Sequence, residues 1–430
     1  MGLLSACTRA ERHSPRPDAA SVETSPQNTQ ALDAAGWLSP GVFSAPIAAT
    51  RTADTAMVAG LVAAEGTIQA MKIASGKVVW TSTALTGVAW APDAELRMQP
   101  AGDGVALVWR GLRGGKSGRT LVMLSAGGER VGGPIEIGTA FCGTRTGLAW
   151  TDPHRGGGPT HVRAQRWGTG TVREMIAIEG DRDPSLVCGD NDVIVLGDGE
   201  DDLTASVFAP DDADAQRPWI AIRDSDFGDD DEREHDAYSI GDDLGLVRIG
   251  GSGSIAIREI SQRGTPGPWR RLKHTLAAEE DVVAVDGDAS STLIVFTREA
   301  SNTCPDGGTF AESVRLLRVD RKLGEESLAE LAPPDCARAR GPFWITPGVG
   351  ALVVAWADRF ASTTPDAPAI AGLSYRVIGR DARRSGTIEQ QADALTDANC
   401  DGLGCWAAAL VRSRFSDGMS AGPIRLFRYP

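Results

Sequence analysis

From residue 45 onward one hydrophobic pattern recurs. A turn bearing Gly or Asp leads into a short apolar strand, often ending in Trp. A polar or Gly-rich loop follows, then a second strand, a turn and a third. The apolar strands read "AMVAGLVAAEG" (56–66), "GVALVWRGLRGG" (104–115), "TGLAWTDPHRGGG" (146–158), "DVIVLGDGEDD" (192–202), "LGLVRIGGSG" (244–253), "STLIVFTREA" (291–300), "ALVVAWADRF" (351–360) and "CWAAALVRSRF" (405–415). Between them lie alternating segments such as Ser254-Ile255-Ala256-Ile257-Arg258-Glu259-Ile260, the period-2 signature of a strand with one face buried. "RTLVMLSAGGERVGGPIEI" (119–137) reads as a hairpin, and "THVRAQRWGTGTVREMIAI" (160–178) repeats its plan. Within "SVRLLRVDRKLGEESLAEL" (313–331), the stretch "KLGEESLAEL" also suits a short helix.

The eight apolar strands have centres about 41 to 59 residues apart, which matches the four-stranded blades of a β-propeller. The expected fold is therefore all-β: a single propeller over 36–430 with eight four-stranded blades, seven being the alternative count. The last blade lacks an outer strand, because the chain reaches its end at "GPIRLFRYP". The segment "GWLSPGVFSAPIAAT" (36–50) is expected to supply it and close the ring, since an open ring leaves unpaired edges.

Trp109-Arg110, Trp150-Thr151-Asp152 and Trp356-Ala357-Asp358-Arg359 resemble the Val-Val-Trp-x-Asp-x-Arg repeats of secreted bacterial β-propellers. Leu196, Phe296 and Val411 stand where Trp stands in those blades. The resemblance implies a shape more than an activity, and each Trp is expected as a core residue wedged between blades. A second stretch, "GTIQAMKIASGKVVWTSTAL" (66–85), is similar at Ala70, Gly76, Lys77 and Trp80 to the repeats of pyrroloquinoline-quinone-type propellers. That family includes quinoprotein dehydrogenases and also cofactor-free outer-membrane lipoprotein scaffolds of the β-barrel assembly machinery.

The chain opens "MGLLSACTRAERHSPRP". Leu4-Ser5-Ala6-Cys7 resembles a bacterial lipobox, which implies that Cys7 becomes an acylated N-terminus. A basic n-region and most of an apolar h-region are missing from 1–7, so the leader is expected to begin upstream of Met1. Residues 8–35 hold almost no large apolar side chain and are expected as a disordered tether. Thr8, rather than Asp, follows the cysteine, and the resemblance then implies the outer membrane. Attached acyl chains anchor through buried methylene groups and need no polybasic patch.

Setting Cys7 aside leaves six cysteines of the seven. Read through the repeat, Cys142, Cys188 and Cys400 fall at the ends of innermost strands. Cys400 and Cys405 bracket one tight turn. Cys304 and Cys336 lie in loops that open on the same face of a propeller. The expected pairs are Cys142–Cys188, Cys304–Cys336 and Cys400–Cys405, in an oxidising compartment.

Charge narrows the partners. A formal charge of −14 and no basic cluster argue against nucleic acid. His13, His154, His161, His235 and His274 show no metal-ligand spacing, and no CxxC motif is present. Neither a nucleophile elbow nor a phosphate loop appears, and "GGKSGRT" (114–120) reads as a hairpin loop. The acidic run "DSDFGDDDEREHD" (224–236) has the density of a calcium loop at Asp224, Asp226, Asp229 and Asp230. It has Asp229 where an EF-hand requires Gly, and it is read as a solvated acidic face. No metal or cofactor is expected. The expectation is a monomeric, lipid-anchored binding or scaffold propeller on the outer membrane, engaging the bilayer through its acyl anchor and a protein or glycan partner. The alternative is a propeller enzyme, either a glycan hydrolase or a quinoprotein-like dehydrogenase, with its site at the tunnel mouth.

Overall fold

The structure, a computed structural model, describes residues 37–52, 55–91, 93–101, 104–153, 158–169, 171–178, 184–189, 191–198, 203–210, 220–222, 233–240, 243–261, 265–299, 312–336, 338–348, 351–360, 370–378, 385–392, 394–395, 399–401, 404–411 and 421–429. The expected lipobox, Cys7 and the tether lie outside these residues.

Eight antiparallel sheets are arranged as the blades of a propeller, and no helix occurs among the described residues. From the centre outward, blade 1 is Phe43–Thr52, Thr55–Val62, Thr67–Ala74 and Lys77–Thr86. Blade 2 is Glu95–Ala101, Gly104–Arg113, Lys116–Leu124 and Ile135–Ile137. Blade 3 is Phe141–Gly143, Gly147–Thr151, Thr160–Arg166 and Val172–Ile178. Blade 4 is Ser185–Cys188, Val193–Asp198, Leu203–Phe208 and Ile220–Ile222. Blade 5 is Arg233–Ile240, Asp243–Gly250, Ser254–Ile260 and Arg270–Thr275. Blade 6 is Glu280–Gly287, Ser291–Glu299, Glu312–Asp320 and Glu326–Asp335. Blade 7 is Arg338–Gly348, Ala351–Phe360, Ile370–Ile378 and Ser385–Ala392. Blade 8 has Asn399–Asp401 and Ala394–Leu395 innermost, then Gly404–Leu410 and Ile424–Tyr429. The "KLGEESLAEL" stretch runs into a strand, because Glu326–Asp335 completes blade 6 rather than forming a helix.

The missing outer strand of blade 8 is Trp37–Leu38, paired antiparallel to Leu426 and Arg425. Only the first part of the 36–50 segment therefore closes the ring. Its later part, from Phe43, is the inner strand of blade 1. Ser39 fastens the closure. Its N–H donates to the Ile424 carbonyl (2.8 Å), and its Oγ accepts from the Ile424 N–H (2.9 Å). Trp37 packs beside Phe43, Ile47, Ala408 and Leu426, in the core shared by blades 8 and 1.

Each second strand is buried on both faces, so it reads as a near-continuous apolar run. Alternation then decides which neighbour a side chain meets. Leu107 and Trp109 pack with blade 1, whereas Ala106 and Val108 pack with blade 3. Trp150 likewise meets blade 2, Phe296 meets blade 5 and Trp356 meets blade 6. The tryptophans at 109, 150 and 356 are 1–3% exposed and serve as interblade core, as their sequence context implied.

Two aligned positions need correction. In blade 4 it is Val193 and Val195 that pack with blade 3, while Leu196 turns the other way onto Leu244 and Leu246 of blade 5. Leu196 is thus one residue out of phase with the Trp positions. Val411 falls one residue beyond its strand. In blade 5 the position in phase is Arg248, which shares a strand face with Leu244 and Leu246 and is fully buried.

Trp80 also bridges blades. Its Nε1 donates to the Ala126 carbonyl (3.0 Å), and its ring covers Gly128 of blade 2, where a Cβ would overlap it. The Ser75-Gly76 turn before it has positive φ at both residues (50° and 73°), the requirement of a tight two-residue hairpin. The Ala70-Gly76-Lys77-Trp80 pattern is accounted for by turn and packing.

The ring closure is testable. Ser39→Ala removes the side-chain partner of the Ile424 N–H and should cost about 1–2 kcal/mol in urea unfolding. A threonine, which keeps the hydroxyl, should recover most of that loss.

Candidate functional site

In an antiparallel meander, successive connections alternate between the two ends of the strands. The second-to-third-strand loops and the interblade connections therefore share one face of the disc, the loop face. The tight turns occupy the other, the turn face. Charged side chains gather on both.

On the loop face, Asp152 follows Trp150 by two residues and accepts from Arg163 Nε (2.8 Å). Arg163 Nη1 also reaches Glu174 (3.3 Å), which lies 3.1 Å from His161 Nδ1. Asp358 stands in the same relation to Trp356, whose Nε1 donates to Asp358 Oδ1 (3.3 Å). Asp358 further accepts from Ser374 Oγ and lies 3.8 Å from Arg340 Nε. Arg340 is anchored in turn by donation from Nη1 to the Glu312 carbonyl (2.5 Å). The Trp-x-Asp pair is thus one device. The ring fills the gap between blades, and the carboxylate at the strand end ties down an arginine on a neighbouring strand. That arginine is on the third strand in blade 3 and on the first strand in blade 7.

Blade 6 reaches a similar result with other residues. Glu280 has a side chain only 3% exposed and meets Arg315 Nη1 (3.1 Å). It accepts the Ala277 N–H (3.0 Å) and faces His274 Nε2 at 3.9 Å. His274 stacks on Phe296 with ring centroids 5.4 Å apart. The neighbouring Glu279 engages Arg298 (3.3 Å).

The turn face carries a cluster between blades 5 and 6. Arg321 holds Glu259 through both oxygens (Nε–Oε1 2.7 Å, Nη2–Oε2 2.6 Å) and donates to the Asp288 carbonyl (3.0 Å). Hydrogen bonding from Arg321 holds the Glu259 carboxyl below its usual range. Its side chain is 45% exposed, so solvent limits the pair to at most about 1 kcal/mol. Beneath it, the Tyr238 hydroxyl meets Thr292 Oγ1 at 2.5 Å. The Tyr238 ring lies against Gly245 and Gly287, and a Cβ at either would overlap it. Burial pushes the phenol up to about 12. No sequence motif marks this socket. Its one sequence signal is a pair of strand glycines, Gly245 within one strand and Gly287 at the end of another, which mark close approach.

The cysteines divide. Cys142 and Cys188 form a disulfide that joins the inner strands of blades 3 and 4, as expected. Cys336, in the connection from blade 6 to blade 7, is disulfide-bonded, and Cys304 lies outside the described residues. Cys400 and Cys405 occupy directly opposed positions of an antiparallel pair in blade 8. His13, His154 and residues 224–232 of the acidic run also fall outside the described residues. His235 and Asp236 lie in the inner strand of blade 5. Among the described residues no three His, Cys, Asp or Glu side chains gather into a set that would hold a metal.

No family model and no curated protein matches the chain. Solved structures do. The β-propeller domain of the Trilobed protease from Pyrococcus furiosus is similar at 12% identity with a TM-score of 0.48, covering 78% of this chain and 99% of that one. The WD40 domain of SCAP from fission yeast is similar at 10% identity and 0.45, covering 90% and 95%. An acylaminoacyl peptidase from Pyrococcus horikoshii matches at 10% identity and 0.46, over 78% of this chain and 52% of its own. The present chain thus spans about half the length of that peptidase.

Two outcomes follow from these clusters. Asp358→Ala leaves the buried Arg340 guanidinium without its carboxylate and should cost about 3–5 kcal/mol in denaturant unfolding, whereas Asp152→Ala, at a more exposed pair, should cost far less. Tyr238 has a folded pKa above its unfolded value of about 10, so its contribution is complete below that pH and is lost as pH rises toward 12. Alkaline unfolding should therefore begin above about pH 10, and Tyr238→Phe should flatten that limb in a fluorescence-monitored titration.

Proposed function

We propose that this protein is a binding or scaffold propeller held at the outer membrane through an acylated Cys7, with a protein or glycan as partner and no catalytic step of its own. One observation carries the reading. The most deeply buried carboxylates described on the loop face, Glu280 and Asp358, are both committed to arginines and to further hydrogen bonds that bind strand to strand. A catalytic carboxylate needs an approach for substrate and freedom to exchange a proton. These two are instead spent on tying strands together within blades 6 and 7. Rigidity of that kind suits a disc that presents a surface.

The anchor rests on Leu4-Ser5-Ala6-Cys7 and on the polar stretch that follows it. Such a stretch would let the disc stand off the bilayer and reach a partner laterally. The charge of −14 would disfavour direct contact with anionic headgroups, leaving the acyl chains as the membrane contact.

The test joins the chain at Gly2 to a basic and apolar bacterial leader and feeds cells an alkyne-tagged fatty acid. The protein should take up label and sediment with membranes, and Cys7→Ser should abolish both. A photo-crosslinking amino acid at the exposed Trp90, in the connection between blades 1 and 2, should give a discrete adduct in the membrane-bound form. An unlabelled wild-type chain overturns the anchor, and absence of any adduct at Trp90 and at neighbouring loop-face positions overturns the binding role.

A further inference from the structure

On the loop face of blade 2, the hairpin of Gly104–Arg113 and Lys116–Leu124 runs past its last pair with the inner strand, Arg110 with Glu95. Four of the ten residues from Arg110 to Arg119 are cationic and none is acidic, although acids outnumber cations 57 to 43 in the chain. The register sets these cations against one another. Arg110 is directly opposite Arg119, and Arg113 is directly opposite Lys116. Like charges in directly opposed positions destabilise a strand pair, so folding alone favours neither arrangement. Asp93 answers the first pair, at 3.8 Å from Arg110 Nη2. The second pair stands exposed at the tip, and among the described residues no carboxylate pairs with either member.

The turn between Arg113 and Lys116 is Gly114-Gly115, with φ of 56° and 78°. A Cβ at either glycine would meet nothing within 4 Å, so the tip is open. It therefore offers bare backbone carbonyls beside two cations. On the side of Gly104–Arg113 away from Lys116–Leu124, Val88–Ala89 pairs with Arg113 and Leu112. Trp90 follows directly and is 43% exposed. One flat apolar ring, two adjacent cations, an Asp–Arg pair and open carbonyls thus share one end of blade 2.

We infer that this end of blade 2 binds an acidic polysaccharide whose rings carry carboxylates. The inference deepens the binding role proposed above and rests on it. An anion between Arg113 and Lys116 turns their repulsion into attraction, and a carboxylate accepts charge-assisted hydrogen bonds from both. Sugar hydroxyls donate to the turn carbonyls and to Asp93, and they accept from Arg110. The C–H face of a sugar ring lies on the Trp90 indole, which joins a large apolar body to a polar edge. Other anions fit less well. A nucleic acid or an anionic bilayer brings dense charge against a chain of −14, and its phosphates donate nothing to Asp93. An acidic peptide offers carboxylates but no hydroxylated ring for the indole and the turn.

The probe is a fluorophore-labelled hexamer of galacturonate, titrated against the full chain at low salt and followed by anisotropy. Saturable binding is expected. Trp90→Ala, and Arg113→Gln together with Lys116→Gln, should each weaken it at least tenfold. The double variant also separates binding from a structural role. Removing a like-charge pair should leave the urea midpoint unchanged or raised, and a lowered midpoint overturns the inference. Absence of saturable binding, or wild-type affinity in the double variant, overturns it as well. Neutral maltohexaose should not displace the probe, nor should polyglutamate or phosphatidylglycerol vesicles at matched charge. Displacement by maltohexaose overturns the requirement for an acid, and displacement by polyglutamate or vesicles assigns the tip to a peptide or a bilayer instead. A protein adduct at Trp90 without galacturonate binding sinks this inference and leaves the binding role standing. Cys7 enters none of these readouts, so the labelling result for the anchor is independent of them.

Discussion

The structure depends on one packing constraint: every sheet is covered on both faces by its neighbours. A half-buried sheet alternates apolar and polar residues, but here the second strands run Val-Ala-Leu-Val-Trp and Leu-Val-Val-Ala-Trp without relief. Odd and even positions belong to different interfaces. Leu293 and Val295 meet blade 7 while Ile294 and Phe296 meet blade 5. A large ring at the end of the run fills the widening gap between radiating sheets, and glycines such as Gly245 and Gly128 admit rings from elsewhere. Polar chemistry is thereby pushed to the two faces of the disc.

On those faces charge serves the same end as the core. The carboxylates at 152, 280 and 358 each bind an arginine borne on another strand. The pairs differ in exposure, and with it in energetic weight. Asp358 and Arg340 are nearly dry, so the pair is costly to break although its formation brings little net gain. Glu259 and Arg321 are wetter and contribute mainly geometry.

The fold was readable because propeller blades repeat. Each apolar run names a second strand, and the spacing between runs names the blade. The sequence alone places Trp150 and Trp356 between blades, since a ring ending an apolar strand has few other uses. Phase was harder. Leu196 looks like a substitute for Trp by type, but strands alternate, and a slip of one residue sends it to the opposite neighbour. Arg248 was invisible for the converse reason: its type argues against a core position, while its phase demands one. The Tyr238 socket joins residues 54 apart that share no local motif. Cys142–Cys188 was legible because equivalent positions in consecutive repeats are neighbours in space.

The strand that closes the ring comes from the beginning of the described chain, and its partner from the end. During synthesis from the amino end, Trp37 and Leu38 emerge before the other described strands and wait through seven complete blades before Leu426 and Arg425 arrive. Until then blade 8 lacks its outer strand and the disc has a seam. Folding is therefore committed only when the last strand appears, so a truncated or stalled chain carries an open interface that quality-control proteases and chaperones can read as unfinished.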